Sequence, residues 1–285
     1  MTIALATSAA LPGLAPDDRL LLKALRARGL AAEPVVWEDR HYDWSAAAMC
    51  VIRSAWDYAY RRQEFLAWVE RVAGVIPLWN PAPVVVWNTH KRYLVDLAGR
   101  GIPTVPTRIL PAGTRATLRA VREDTGWGDL ILKAAVAQTG RYLMRVPADR
   151  EVEGQRHLDR LLPAEDMLAQ PFLPGVTAQG ETSLVYVDGT FSHAAHKQPA
   201  SGDFRVHDDY DGSLAAVTPS DAQREVAEAA LAAVGTPVLY ARVDLVPGPD
   251  GPVIMELELV EPDLYLATTP RAADRLAAAV AARAS

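Results

Sequence analysis

The chain has 285 residues, 50% of them hydrophobic and 22% charged, so it can bury a cooperative core and is expected to form more than one structural unit. Its net charge of −6 comes without any basic run, which argues against a nucleic-acid partner, because phosphate binding needs Lys and Arg clustered on one face. Cys50 is the only cysteine, which excludes an intramolecular disulfide and fits a cytoplasmic setting, and no membrane partner is expected because no window approaches the roughly 20 apolar residues that span a bilayer.

From the N-terminus, "TIALAT" reads as a strand, followed by a helix that Pro16, Asp17 and Asp18 open and Gly29 stops. "EPVVWE" and "AAAMCVIR" read as further strands, and "RRQEFLAWVERVAG" as a helix with Phe65, Leu66, Trp68, Val69 and Val72 inward. This βαβ rhythm predicts a small parallel sheet. Arg53, Trp56, Asp57 and Tyr58 follow a strand, at the end where open α/β sheets place ligands. Arg53 suits a substrate carboxylate, Asp57 an amino group and Trp56 a wall. A capped loop around a buried tryptophan accounts for the same residues. Two prolines then break the pattern in "LWNPAPVVVWN", and a helix over "THKRYLVDLAGRG" is expected behind Asn88 or Thr89 as its cap. That places the first unit at residues 1–88.

After "GIPTVPT" the order reads strand, helix (114–124), strand "DLILKAAV", strand "RYLMRV", helix (150–161) and strand "MLAQPFL", a compact α+β unit over 89–170. The last unit, 171–285, carries "ETSLVYVDGTFSHAAHK", where Asp188 and Gly189 supply a tight hairpin turn. His193 and His196 fall on opposite faces of that strand, so they read as structural rather than as a metal pair. A helix begun by Thr218, Pro219 and Asp221 follows, then two strands and a closing alanine-rich helix.

Those two strands are "LYARVDLV" and "PVIMELEL", joined by Pro247 to Gly251. Pairing 244 with 256 sets 242 opposite 258, so Arg242, Asp244, Glu256 and Glu258 share one face, and Val243, Leu245, Met255, Leu257 and Leu259 the other. Acids this close repel, and withdrawing them from water raises a carboxylate pKa unless a cation neutralises it. With oxygen donors only, that cation is Mg²⁺ or Mn²⁺ rather than zinc. A sheet with one wet, charged face, on which Arg242 merely pairs the acids, has the same spacing. Three acids beside one arginine also suit phosphoryl transfer, where a metal bridges phosphate oxygens and the arginine takes up developing charge.

Twenty-five arginines stand against four lysines, Lys23, Lys91, Lys133 and Lys197; a lysine here marks a need for a compact point charge, or falls by chance. Lys133 ends the strand "DLILK" ahead of the small-residue loop "AAVAQTG", Lys91 opens its helix, and Lys197 ends a hairpin strand. Lys23 reads as solvated. Neither G-x-x-x-x-G-K-[ST] nor a G-x-G-x-x-G after a strand occurs, which argues against a P-loop kinase or a Rossmann dehydrogenase.

Taken in order, "WNPAPVVVWNTHKRYLVDLAGRGIPTVPT", "LILKAAVAQTG", "MLAQPFLPG", "GETSLVYVDGTFSHAAHKQPASGDFR", "YARVDLV" and "MELELVEP" resemble the ATP-grasp superfamily over about residues 79–266. The resemblance is to the glutathione synthetase-like branch, which includes cyclo-ligases that close O-ureido-serine to cycloserine. It implies an α/β (α+β) ATP-grasp fold with an N-terminal parallel-sheet domain, a small central lid and a C-terminal antiparallel-sheet domain. It implies ATP phosphates on Lys91 and Lys133, adenine against Gln170, Pro171, Phe172 and Leu173, and ribose on Glu181. It implies Lys197 and Arg205 facing the phosphates or acyl group, Arg242 stabilising a tetrahedral intermediate, and Asp244, Glu256 and Glu258 holding the metal. Many relatives have Asn where Glu258 stands, and a glycine-rich loop where this chain has only Gly140.

The implied activity is an ATP- and Mg²⁺-dependent carboxylate–amine ligase or cyclo-ligase acting on a small amino-acid-like carboxylate through an acylphosphate. The central unit would close as a lid that excludes water. Alternatives are a ligase adding an amino acid to a peptide or protein, and a nucleotide-binding regulatory protein without turnover. Compact size and the absent basic patch count against the first, and the intact acids and Arg242 against the second. Relatives in that branch are often dimers, which leaves a homodimer open.

Overall fold

The computed structural model describes residues 2–138, 140–200 and 212–284, and builds them on three sheets. β1 (Thr2–Thr7), β2 (Ala32–Val36), β3 (Ala47–Ile52) and β4 (Leu78–Trp79) form the expected parallel sheet in the order β2-β1-β3-β4. Alternation along β1 splits its side chains between two cores. Ile3 and Leu5 pack with Leu21 and Leu25 of α1 (Pro16–Ala27), whereas Ala4 and Ala6 share a core with Phe65, Trp68, Val69 and Val72 of α2 (Arg62–Ala73). Both faces are covered, which is why these strands read as unbroken apolar runs.

The single helix expected behind Asn88 or Thr89 is two: α3 (Ala82–Asn88) and α4 (Tyr93–Gly99). Asn88 ends the first instead of capping the second, because its buried amide serves another strand, donating to Leu257 O at 2.8 Å and accepting from Leu259 N at 2.7 Å. The turn between the helices carries Lys91, whose own N–H donates to Ala135 O at 2.8 Å.

β5 (Arg108–Leu110), β6 (Leu130–Ala134), β7 (Met144–Val146) and β8 (Met167–Pro171) form an antiparallel sheet ordered β5-β8-β6-β7. α5 (Leu118–Thr125) and α6 (Glu151–Leu161) share its core. The first starts later than expected because Thr117 is its cap, accepting from Ala120 N at 3.1 Å. Gly154 lets the second sit close on β7, since a Cβ there would lie 2.4 Å from a Val146 methyl.

α7 (Pro174–Gln179) leads into the third sheet: β9 (Glu181–Val187), β10 (Thr190–Gln198), β11 (Ser213–Val217), β12 (Tyr240–Gly248) and β13 (Gly251–Glu258), ordered β11-β10-β9-β12-β13 and antiparallel. Asp188 and Gly189 turn the first hairpin with φ of 53° and 71°. α8 (Asp221–Val234) is capped by Ser220 in a reciprocal box with Gln223. One face of this sheet packs against α3, α4 and α8 through Val84, Leu94, Leu97 and Ala227. So α4, which the sequence-based division groups with the central unit, joins the third core, as Tyr93, Leu94 and Leu97 require. α9 (Ala272–Ala284) returns to the N-terminal unit by packing on α1, its Leu276 and Val280 sharing a core with Leu21 and Met49. No helix among the described residues is long and apolar enough to cross a membrane.

Candidate active site

The β12–β13 ribbon pairs as its alternation predicts, Asp244 with Glu256 and Arg242 with Glu258. Beyond that pair the register slips: Leu245 faces Ile254, leaving Met255 as an extra residue. Ile254 takes the core position, and Met255, expected there, turns into a cleft of ≈ 280 Å³ instead. That cleft lies where the three sheets meet, and it gathers the four ribbon residues with Lys91, Lys133, Glu181, Lys197 and the Gln170–Leu173 segment.

The charged face of the ribbon is withdrawn from bulk water, with Asp244 2% and Arg242 7% exposed and the Glu256 and Glu258 side chains 21% and 24%, which counts against the wet-sheet alternative. Arg242 donates to Asp244 at 2.9 Å and to Glu258 at 2.5 Å, and its remaining nitrogen to Asp263 O at 2.9 Å. Asp244 accepts a further hydrogen bond from Ser183 Oγ at 2.5 Å. Lys197 pairs with Glu181 and lies 3.9 Å from Asp244. Glu256 is shared between two of the four lysines, Lys91 Nζ at 2.7 Å and Lys133 Nζ at 3.2 Å.

Burial opposes every one of these charges, so the pairing decides which survive. Burial pulls the Lys91 ammonium down, but Glu256, helped by Glu258 and Glu261, holds it above its ordinary value. For Lys133 burial wins: with Lys91 adding repulsion, its pKa falls despite Glu256. Burial pushes Asp244 up, and Arg242 and Lys197 more than reverse that. Glu258 stays raised, because burial and then Asp244 and Glu256 outweigh Arg242. Burial lifts Glu181 to about 7 against the pull of Lys197.

At one end the cleft is an apolar slot, walled by Ile131, Leu173, Val176 and Met255. Gln170 there donates to Thr107 Oγ1 at 2.8 Å, and the Arg145 guanidinium lies 3.7 Å over the Phe172 ring. The loop after Lys133 reaches from the central sheet to the N-terminal one. Arg141 pairs with Glu165 at 2.6 Å, donates to Ala59 O at 3.3 Å and sits 4.9 Å over the Tyr60 ring. Gln138 donates to Tyr58 Oη at 3.1 Å.

Of the expected acceptor residues, Trp56 lines the cleft and Tyr58 lines a small annex behind it. Arg53 and Asp57 do not. Arg53 is 1% exposed, paired with Asp18 at 2.7 Å, donating to Pro262 O at 2.5 Å and lying over Tyr240. Asp57 accepts from Trp37 Nε1 at 3.0 Å and pairs with Arg61. Neither lines the cleft as expected: Asp57 is held by its N-terminal neighbours, and Arg53 bridges Asp18 to the third unit at Pro262 and Tyr240, with its Nη1 buried and left without a hydrogen bond. Arg205 lies outside the described residues. His193 meets Leu264 O and His196 meets Thr182, on separate neighbours. Sequence reasoning missed Glu261, Asp263 and Tyr265, all lining the cleft; the run "VEPDLY" directly after the acidic strand was the available signal.

Among the described residues no three His, Cys, Asp or Glu already form a metal cage. The donor chemistry nevertheless suits a hard divalent cation, since Asp244, Glu256 and Glu258 are all-oxygen, gathered in one cleft and paired there with side-chain cations.

Comparison with known proteins agrees with this geometry. Residues 3–80 match the family model described as the N-terminal domain of D-cycloserine synthetase DcsG. The chain is 38% identical over 294 residues to the cycloserine biosynthesis protein DcsG of Streptomyces lavendulae, covering 99% of this chain and 98% of that one. The crystal structure of D-cycloserine synthetase DcsG superposes with a TM-score of 0.89 at 38% identity, over 100% of both chains. At 18% identity, the ATP-grasp ligase PsnB, complexed with minimal precursor, Mg and ADP, shares the fold with a TM-score of 0.68 over 100% of this chain and 97% of that one. A parallel N-terminal sheet, two antiparallel sheets closing on an acidic ribbon, and an end-to-end match of this identity lead to one assignment: the chain has the ATP-grasp fold and belongs to the cycloserine synthetase family.

Proposed function

We propose that this protein is an ATP-dependent cyclo-ligase that phosphorylates the carboxylate of a small α-amino acid, such as O-ureido-serine, and lets the molecule's own nitrogen displace the phosphate to close a ring. The observation that carries this reading is the charged ribbon of Arg242, Asp244, Glu256 and Glu258 facing Lys91 and Lys133 in one cleft. Lys91 and Lys133 exchange Glu256 for phosphate oxygens when a triphosphate enters, which frees that carboxylate for the cation arriving with it. Asp244, Glu256 and Glu258 would hold Mg²⁺, which supplies charge neutralisation to the transferring phosphoryl group; Mn²⁺ fits the same oxygen donors.

Arg242 keeps its charge under burial and stands beside the acids, suited to stabilise negative charge developing on the carbonyl oxygen. The apolar slot beside Gln170, Pro171, Phe172 and Leu173 suits adenine, and Glu181 suits the ribose hydroxyls. Gln138 and Arg141 hold the loop down on Trp56–Tyr60, keeping water from the activated acyl group. Incubation with ATP, Mg²⁺ and O-ureido-D-serine is expected to release ADP and phosphate with a cyclic product detected by mass spectrometry. ADP release with no cyclised product would turn the reading toward an intermolecular ligase, and no ADP with any amino-acid acceptor would overturn it.

A further inference from the structure

Glu261 follows the acidic ribbon and faces the cleft and its annex, yet it is only 3% exposed. Glu181, Asp244, Glu256 and Glu258 each have a lysine or arginine partner in the same cleft. Among the described residues no such ion pair reaches the Glu261 carboxylate, whose hydrogen bond comes from the neutral amide of Gln138. A buried carboxylate without an adjacent cation is costly in its charged form. Burial and the nearby Glu258 accordingly push its pKa well above the ordinary carboxylate range.

The group is also fixed in place. Trp56 Nε1 donates to the backbone oxygen of Glu261 at 3.0 Å, and Arg53 holds the next carbonyl, that of Pro262, at 2.5 Å. Gln138, which orients the carboxylate, is itself tied to Tyr58 Oη. Such support is characteristic of a preorganised contact rather than of a solvated side chain. The annex sets Glu256, Glu258 and Glu261 against one lysine, Lys91, so it carries an excess of negative charge.

We propose that Glu261 is the anchor for the α-ammonium group of the acceptor amino acid, an inference that rests on the ligase reading above. In an amino acid the ammonium sits one carbon from the carboxylate. A substrate whose carboxylate lies toward Lys91 and Arg242 therefore brings its ammonium within reach of Glu261, which shares their cleft and, among the described residues, is paired by no lysine or arginine. Asp263, the other such acid there, is turned to its own chain, accepting from Tyr265 N at 2.9 Å. Asp57, the residue expected from sequence to take this group, is occupied by Trp37 and Arg61.

The test compares ADP formation by the wild type and Glu261→Gln with O-ureido-D-serine and with its desamino counterpart, 3-(ureidooxy)propanoate, at saturating ATP. Each single change is expected to lower kcat/KM by about 30-fold or more, chiefly through KM, and the two together by little beyond either alone. An equal loss on both substrates when Glu261 is replaced would overturn the anchor and leave the ligase reading standing. A wild type that forms no ADP with O-ureido-D-serine would overturn the ligase reading and the anchor with it. Should Glu261→Gln fail to fold, the wild type decides alone, since equal kcat/KM with and without the amino group overturns the anchor.

Discussion

At the residue scale, the site is made by charges that burial would otherwise extinguish. Glu256 illustrates the dependence, since it is the counter-ion of both Lys91 and Lys133. Glu256→Gln is expected to cut ADP formation by about 100-fold or more, as loss of a charge-stabilising group in a dry site does, while the melting transition stays cooperative. Undiminished ADP release would refute its role. A second expectation concerns Asp17, which accepts backbone N–H groups from Leu266 and Ala267 beneath the cleft loop. Burial, and then Asp263, push its carboxyl from 3.8 up to about 7, so the folded protein takes up a proton there. Stability from a carboxyl raised in this way is complete below the unfolded value and disappears as pH rises through the folded one. The melting temperature of the wild type minus that of Asp17→Asn should therefore fall between about pH 4 and pH 7. A constant difference across that window would show that Asp17 is not protonated on folding. The lysines and ribbon acids were visible in the sequence because lysine is rare here and the acids alternate. Arg53 and Asp57 were harder to place because the groups that hold them away from the cleft, Asp18 and Trp37, are distant in sequence; only Arg61, four residues after Asp57, was a local hint.

At the scale of elements, period-two and period-3.6 patterns located the parallel sheet, α2 and both hairpins, because apolar faces must find a core. Two local competitions escaped that logic. Asn88 has the residue type of a helix cap but spends its amide on β13, and Met255 has the residue type of a core position but is displaced into the cleft by a bulge. Neither outcome is written in the few residues around it. The loop between β6 and β7 lacks the glycines of a freely folding phosphate loop and is instead fastened by Arg141 to Ala59, Glu165 and the face of Tyr60. Arg141→Ala is expected to loosen that closure and let water reach the activated carboxylate. Its signature is a several-fold rise in ADP formed per cyclised product, with ATP affinity little changed. An unaltered ratio would mean that the fastening does not guard the reaction.

At the scale of the whole molecule, the three sheets were legible as three segments, but their helical covers cross between them. α4 joins the third core, and α9 closes the first. Leu276, fully buried among Leu21, Met49 and Leu264, tests that arrangement. Leu276→Ala is expected to destabilise the protein by about 2–5 kcal/mol, read by denaturant unfolding, with one cooperative transition. A separate early transition of the N-terminal sheet would show that this sheet folds independently of α9.

The return of α9 has a consequence during synthesis. The first sheet is complete in sequence by Trp79 and α1 already packs on one of its faces, yet α9, which completes the core around α1, begins only at Ala272. At roughly 5–20 residues per second, a ribosome leaves that core unfinished for about 10–40 s. The nascent chain thus carries a partly built apolar layer while the intervening residues are made, and α9 is the piece that completes it.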